Sequence, residues 1–221
     1  QKTGFLSNFI SISDTEDKGI KKILSFYGGY CAYSIGASVS SKTGNKNYFE
    51  LNMSKSDVIE NQSDKIHLPS SNVAYIFFKN LKEEKKNYDE IHVIIILKDN
   101  SKQEFKFSIS LLEKVQNRMS LVNKTVNFLK EKKFDSIKSM LNNKLIPFDK
   151  EEIIPRLKEI EPQLGEIKEF RFFGFKITLY KGMEILHLSG ALIRDKQNNE
   201  FSIDIDFNSK KNELYQLRYK L

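Results

Sequence analysis

Along the chain the spacing of apolar residues changes several times, and each change marks an element. Ser13 with Glu16 three positions on has capping-box spacing, and Ile20, Ile23, Leu24 and Tyr27 then share one helical face up to a stop at Gly28-Gly29. There the period drops to two. Cys31, Tyr33, Ile35, Ala37 and Val39 alternate with small or polar residues, Lys42-Thr43-Gly44-Asn45-Lys46 reads as a turn, and Phe49, Leu51 and Met53 alternate with Glu50, Asn52 and Ser54. That pattern predicts a β-hairpin with one buried face. The polar run Asp57–Lys65 reads as a loop. Pro69-Ser70-Ser71 opens a second helix with Val73, Ile76, Phe77 and Leu81 as its buried stripe and Lys82–Asn87 as its wet end. A second hairpin follows, Ile91–Leu97 and Glu104–Ile109, turning at Lys98-Asp99-Asn100-Ser101.

The second half reverses the order, with helices first and strands afterwards. Leu111–Lys133 has neither Pro nor Gly and is helical in pattern; Phe134–Leu141 and Lys150–Leu164 are two further helical stretches, the latter preceded by Pro147-Phe148-Asp149 as a cap. Four strand-like runs close the chain: Gly165–Tyr180, Gly182–Arg194, Glu200–Asn208 and Asn212–Leu221. Gly174, inside the run of Phe170, Phe172, Phe173 and Phe175, predicts a bend or bulge. Phe201, Ile203, Ile205 and Phe207 alternate with Ser202, Asp204, Asp206 and Asn208, and Tyr215, Leu217 and Tyr219 with Gln216, Arg218 and Lys220.

These elements predict an α+β protein of two small domains, each an antiparallel sheet packed against helices: an αββαββ domain over 1–116 and a cone-like ααα-ββββ domain over 117–221. The boundary falls in the continuous helical stretch near Gln116–Ser120, a stiffer link than a Gly/Ser tether. Phe49–Ser54 and Phe105–Ser110 occupy equivalent places in the first half, a likeness that two amphipathic strands also produce by chance.

Charge narrows the function classes. The net charge of +7 divides into about +3 for residues 1–120 and about +4 for 121–221, and the lysines are interleaved with acids, as in Lys82-Glu83-Glu84-Lys85-Lys86. A nucleic-acid binder gathers its basic residues on a stripe with aromatics between them, and no such stripe is present. The lone cysteine, Cys31, excludes an intrachain disulfide and a Cys-based zinc site, and its place in an alternating run makes it a small buried side chain. Neither Ile23–Ser41, rich in Gly and Ser, nor the short run Ile91–Leu97 suits a membrane span. The chain opens Gln1-Lys2-Thr3-Gly4 without Met, as a mature secreted or periplasmic chain does; a trimmed cytoplasmic chain opens the same way, so Gln1 does not decide whether it is a natural terminus.

Two segments carry a family resemblance. Val126-Asn127-Phe128-Leu129-Lys130-Glu131-Lys132-Lys133-Phe134-Asp135 resembles the opening helix of the nuclear-transport-factor-2-like (cystatin-like) superfamily, and Leu164-Gly165-Glu166-Ile167 resembles its lead into the sheet. Leu214–Tyr219 is similar to its closing strand. The resemblance covers about 100 residues, 121–221, and is to the small variant found in bacterial exported proteins; residues 1–116 carry no such resemblance. It implies a cone with a pocket between helices and concave sheet, used by some members for isomerase, dehydratase or hydrolase chemistry and by others only to bind. Fold alone does not choose between these.

An enzyme on such a scaffold needs an acid or base inside the cone. The polar candidates are Tyr180, His187, Asp204 and Asp206, and alternation puts both aspartates on the side away from Ile203 and Ile205. His187, Asp204, Asp206 and Arg218 then form a polar stripe on the convex face, readable as cross-strand charge pairs or as a surface where a partner or the first domain docks. Phe170, Phe172, Phe175 and Tyr180 suit a greasy ligand pocket and equally a core lining. His67 and His92 have no companion at ligand spacing, so no metal or other cofactor is expected. No nucleophile elbow, phosphate loop or dinucleotide fingerprint occurs. The expected function is non-catalytic binding, of a protein partner or a small apolar ligand, with a homodimer through the C-terminal sheet as one arrangement. The alternative is a small-molecule enzyme, of isomerase or hydrolase type, using a pocket in the C-terminal cone.

Overall fold

A computed structural model describes residues 11–40, 44–142 and 150–220. The fold is α+β, with two four-stranded sheets and helices accompanying each. Two compact units divide the chain: residues 1–66 with 73–112, and residues 67–72 with 113–221.

In the first unit, α1 (Asp14–Tyr27) begins at the capping box expected from its sequence, with Ser13 and Glu16 each satisfying the other's backbone N–H. Glu16 is buried because its carboxylate accepts the Tyr88 hydroxyl. β1 (Tyr30–Ser40) and β2 (Gly44–Ser54) form the expected hairpin, Tyr33 facing Leu51. The stretch expected to be a loop contains a one-turn helix, α2 (Asp57–Glu60), because Ser56 caps it and Ile59 buries itself beneath it. α3 (His67–Leu81) starts before the anticipated Ser70 and Ser71. Both serines lie inside the helix and donate to carbonyls three residues back, the competing local bond open to a hydroxyl.

β3 (Glu90–Ile96) and β4 (Lys102–Ser108) complete a sheet of order β1-β2-β3-β4. Its outer pairs are antiparallel, but β2 and β3 run parallel, with Leu51 beside Val93. The fully antiparallel sheet expected from two hairpins is corrected at this pair, since the chain returns through α3 as a crossover. Phe49, Leu51, Met53, Ile91, Val93 and Ile95 are buried on one face, where the Phe49 and Phe77 rings lie 4.3 Å apart. On the opposite face His92 stacks on Tyr48 and bonds Glu90 at 2.9 Å. Ile109, expected to end β4, instead begins α4 (Ile109–Lys130).

The second unit holds most of α4, then α5 (Phe134–Met140) and α6 (Lys150–Leu164), followed by an antiparallel meander. Its strands are β5 (Ile167–Tyr180), β6 (Met183–Arg194), β7 (Asn199–Asp206) and β8 (Gln216–Lys220). Leu121, Val122, Val126 and Leu129 bury one face of α4, and Ile154, Leu157 and Leu164 bury one face of α6. The cap expected at Pro147-Phe148-Asp149 lies outside the described residues. β8 is shorter than expected because Leu214 is engaged elsewhere, exchanging backbone bonds of 2.8 Å with Met140 and Asn142. β5 breaks register between Phe172 and Gly174, the bulge foreseen at that glycine. Gly174 has φ of +138°, and a Cβ there would collide with the Leu68 carbonyl.

Candidate functional site

Strand register decides which polar side chains of the second unit meet. Leu186, Leu188 and Leu192 lie beside Ile205, Ile203 and Asn199, while His187 and Ser189 lie beside Asp204 and Ser202. Arg194 shares the side of Leu192 and reaches Glu161 of α6, so this side meets the helix. The aspartates therefore lie on the other side from Ile203 and Ile205.

There His187 Nδ1 is 2.5 Å from Asp204 Oδ1, and Arg218 Nη2 is 3.4 Å from Oδ2. Asp206 sits two residues on and instead closes the turn after β7, accepting the Asn208 and Ser209 amides. The stripe is not an open surface: His187 and Asp204 are 9% and 7% exposed, and only Arg218 is well exposed to solvent. Residues 67–72 lie against β5 nearby, where Ser71 Oγ accepts the Phe175 amide at 2.8 Å and Asn72 Nδ2 donates to the Phe172 carbonyl at 3.1 Å. Burial, then the nearby Lys176 and His187, hold the His67 pKa below the usual histidine value.

The phenylalanines pack on one another. Phe170 meets Phe201 edge to face at 5.7 Å, and Phe201 meets Tyr219 likewise at 6.5 Å. The Phe170 ring occupies the space a side chain at Gly190 would need. Phe175 is buried, whereas Tyr180 is exposed near the end of β5.

A second polar centre was not anticipated. The Arg194 side chain is completely buried and donates to both Glu161 oxygens at 2.7 and 3.2 Å, to the Gly165 carbonyl at 2.7 Å and, through Nε, to Asn199 at 2.9 Å. The Tyr219 hydroxyl accepts from Arg194 and donates to Glu161. Burial, then the bond to Glu161, drives the Tyr219 pKa far up, so the phenol stays protonated as that donor. The bidentate fork is the geometry in which a buried guanidinium and carboxylate satisfy each other. One signal was legible: Arg194 continues the Leu186, Leu188, Leu192 side, and a charge on a core face requires a partner.

Beside this centre opens a cleft of about 590 Å³, lined by Lys130 and Lys132 at the end of α4, Glu161 and Pro162 of α6, and Asp195 and Lys196 after β6. Gly165 and Ile167 complete its wall. Gly165 has φ of +82° and no room for a side chain against Asp195, whose Oδ1 accepts the Glu166 amide at 2.8 Å. Lys168 pairs with Glu166 at 2.6 Å and lies 3.8 Å from Asp195, so one ammonium is shared between two carboxylates on this wall.

Among the described residues no group of three or more His, Cys, Asp and Glu is placed to hold a metal ion, and no helix is long and apolar enough to cross a membrane. Compared with family models, curated proteins and solved structures, the chain matches none.

Proposed function

We propose that the chain is a non-catalytic binding protein and that the cleft beside Glu161 is its ligand seat. The observation that carries this reading is the internal matching of the buried charges of the second unit. Glu161 and Arg194 satisfy each other, and Asp204 is engaged through both oxygens by His187 and Arg218. A general acid or base must exchange a proton with substrate, and groups held in this way serve as struts. The cleft falls in the size range of small-molecule sites, about 300–1,000 Å³. Lys130, Lys132 and Lys196 around it, with Lys168 beside Glu166 and Asp195, outnumber those two carboxylates and favour a small anionic ligand over the apolar one the phenylalanines suggested.

Kinship with the nuclear-transport-factor-2-like superfamily is part of the same proposal, supported by the order of three helices and a four-stranded meander. A place in the bacterial envelope or outside the cell rests on that resemblance alone. The enzymatic alternative keeps one favouring observation, the short His187–Asp204 contact, which is how a carboxylate orients an imidazole base.

The test is a thermal-shift and NMR titration with citrate and inorganic phosphate, on the wild type and on Lys132→Glu and Lys196→Glu. The reading expects saturable stabilisation by an anion that both variants weaken. Turnover of a small-molecule substrate, lost in Asp204→Asn with the fold retained, would replace it with the enzymatic alternative.

A further inference from the structure

Four strands end the two sheets, and three of them are guarded. β4 carries Lys102, Glu104 and Lys106; β5 carries Lys168, Glu169, Arg171 and Lys176 together with its bulge; β8 carries Arg218 and Lys220. Charge and irregularity of this kind keep a free edge from pairing with another chain. β1 has neither. Its 11 residues contain no charged side chain and no proline, and it pairs with β2 along its whole length without a register shift. Among the described residues no strand lies on its other side. Tyr33 and Ile35 are 38% and 37% exposed, although they stand on the side that carries the core of the first unit. Tyr33 stacks on Phe49, whose ring in turn lies tilted against Phe77, so an apolar layer runs out to this edge and stops there.

We propose that β1 pairs antiparallel with β1 of a second copy of the chain, about a twofold axis at Ile35, joining two first-unit sheets into one. The occupant is identified by β1 itself. In this register Ile35 meets Ile35, Tyr33 meets Ala37 and Ser34 meets Gly36, so the bulky tyrosine faces a small residue and no charges oppose. Gly36 fits because the Tyr48 ring already fills the space above it, where a Cβ would collide. The association also stops at two, since the outer edges of the joined sheet are both β4, with its charges. The surface lies in the first unit and is independent of the cleft.

The test is sedimentation velocity on the wild type, Ile35→Lys and Ile35→Glu, with circular dichroism to confirm folding. The wild type is expected at twice the chain mass of 25.8 kDa and each charged variant at the chain mass. Mixing the two variants in equal amounts restores the dimer, because lysine then faces glutamate. If Ile35→Lys loses its fold, the exposed Ala37 carries the same test as Ala37→Lys and Ala37→Asp. A wild type that stays monomeric at about 100 µM, far above a micromolar Kd, overturns the proposal. So does a dimer that survives both charged variants, which would place the interface elsewhere, the C-terminal sheet included. Slow exchange of β1 amides in a monomer also overturns it, giving the edge to another part of the same chain.

Discussion

His187 faces Asp204 directly across β6 and β7, its Nδ1 2.5 Å from the carboxylate, with both side chains buried. Arg218 touches the same carboxylate from β8 at 3.4 Å, but its side chain is 45% exposed. The two contacts differ in worth for that reason. Asp204→Ala strands a buried imidazole and is expected to cost about 2–3 kcal/mol, whereas Arg218→Ala is expected to cost under about 1 kcal/mol. Urea unfolding of the two variants checks the order, and equal losses would contradict it.

The Arg194–Glu161 fork is a stronger case, because no solvent screens it. Removing one partner leaves an uncompensated buried charge, so Glu161→Ala is expected to cost about 3–5 kcal/mol. Replacing both, as Arg194→Met with Glu161→Leu, recovers much of that loss, since no charge is then left behind. A double-mutant cycle measured by urea unfolding reads the coupling directly.

His67 makes stability depend on pH in a defined direction. Burial first, then Lys176 and His187, hold its folded pKa below the ordinary histidine value of 6.5. The unfolded chain therefore takes up the proton first as pH falls, and stability drops from about pH 6.5 downward until the folded histidine also titrates. His67→Gln is expected to flatten this limb. Its urea midpoint between pH 7.5 and about pH 5 should fall less than that of the wild type. Glu90 acts lower on the scale: burial raises its pKa, but Lys46 and His92 outweigh that and hold it under its ordinary 4.5.

Gly174 and Gly182 both have positive φ, at +138° and +81°, yet their surroundings differ. A methyl group at Gly182 meets open space, while one at Gly174 strikes the Leu68 carbonyl and the Ser71 hydroxyl. Gly182→Ala is expected to cost about 1 kcal/mol of backbone strain, and Gly174→Ala a further 1–3 kcal/mol, roughly, from overpacking. Thermal unfolding of the two variants should separate them, and similar midpoints would show that residues 67–72 yield easily.

Burial pushes the Cys31 thiol up to about 12. Little thiolate exists at neutral pH, so a thiol reagent is expected to react with the native chain many times more slowly than with the urea-unfolded chain. Equal rates would mean that the β1 edge opens readily.

Local signals were legible where a residue's role depends on near neighbours. The capping box of Ser13 and Glu16, the bulge at Gly174 and the side taken by Asp204 all follow from spacing and alternation, which short-range sterics enforce. The helix start at His67 was less legible, because Ser70 and Ser71 bond equally well at a cap or inside the first turns. Ile59, two residues into α2, shows how a single buried side chain can turn a polar run into a helical turn.

Composition and period alone thus settle the α+β class, the two sheet-and-helix units and the sides of most strands, because those properties belong to one segment at a time. The parallel pairing of β2 with β3, the grouping of residues 67–72 with the second unit, and the partnership of Arg194 with Glu161 emerge only in three dimensions. Each joins residues far apart in the chain. Such contacts are decided by which burials compete best for the same space, a comparison that no local window of residues contains.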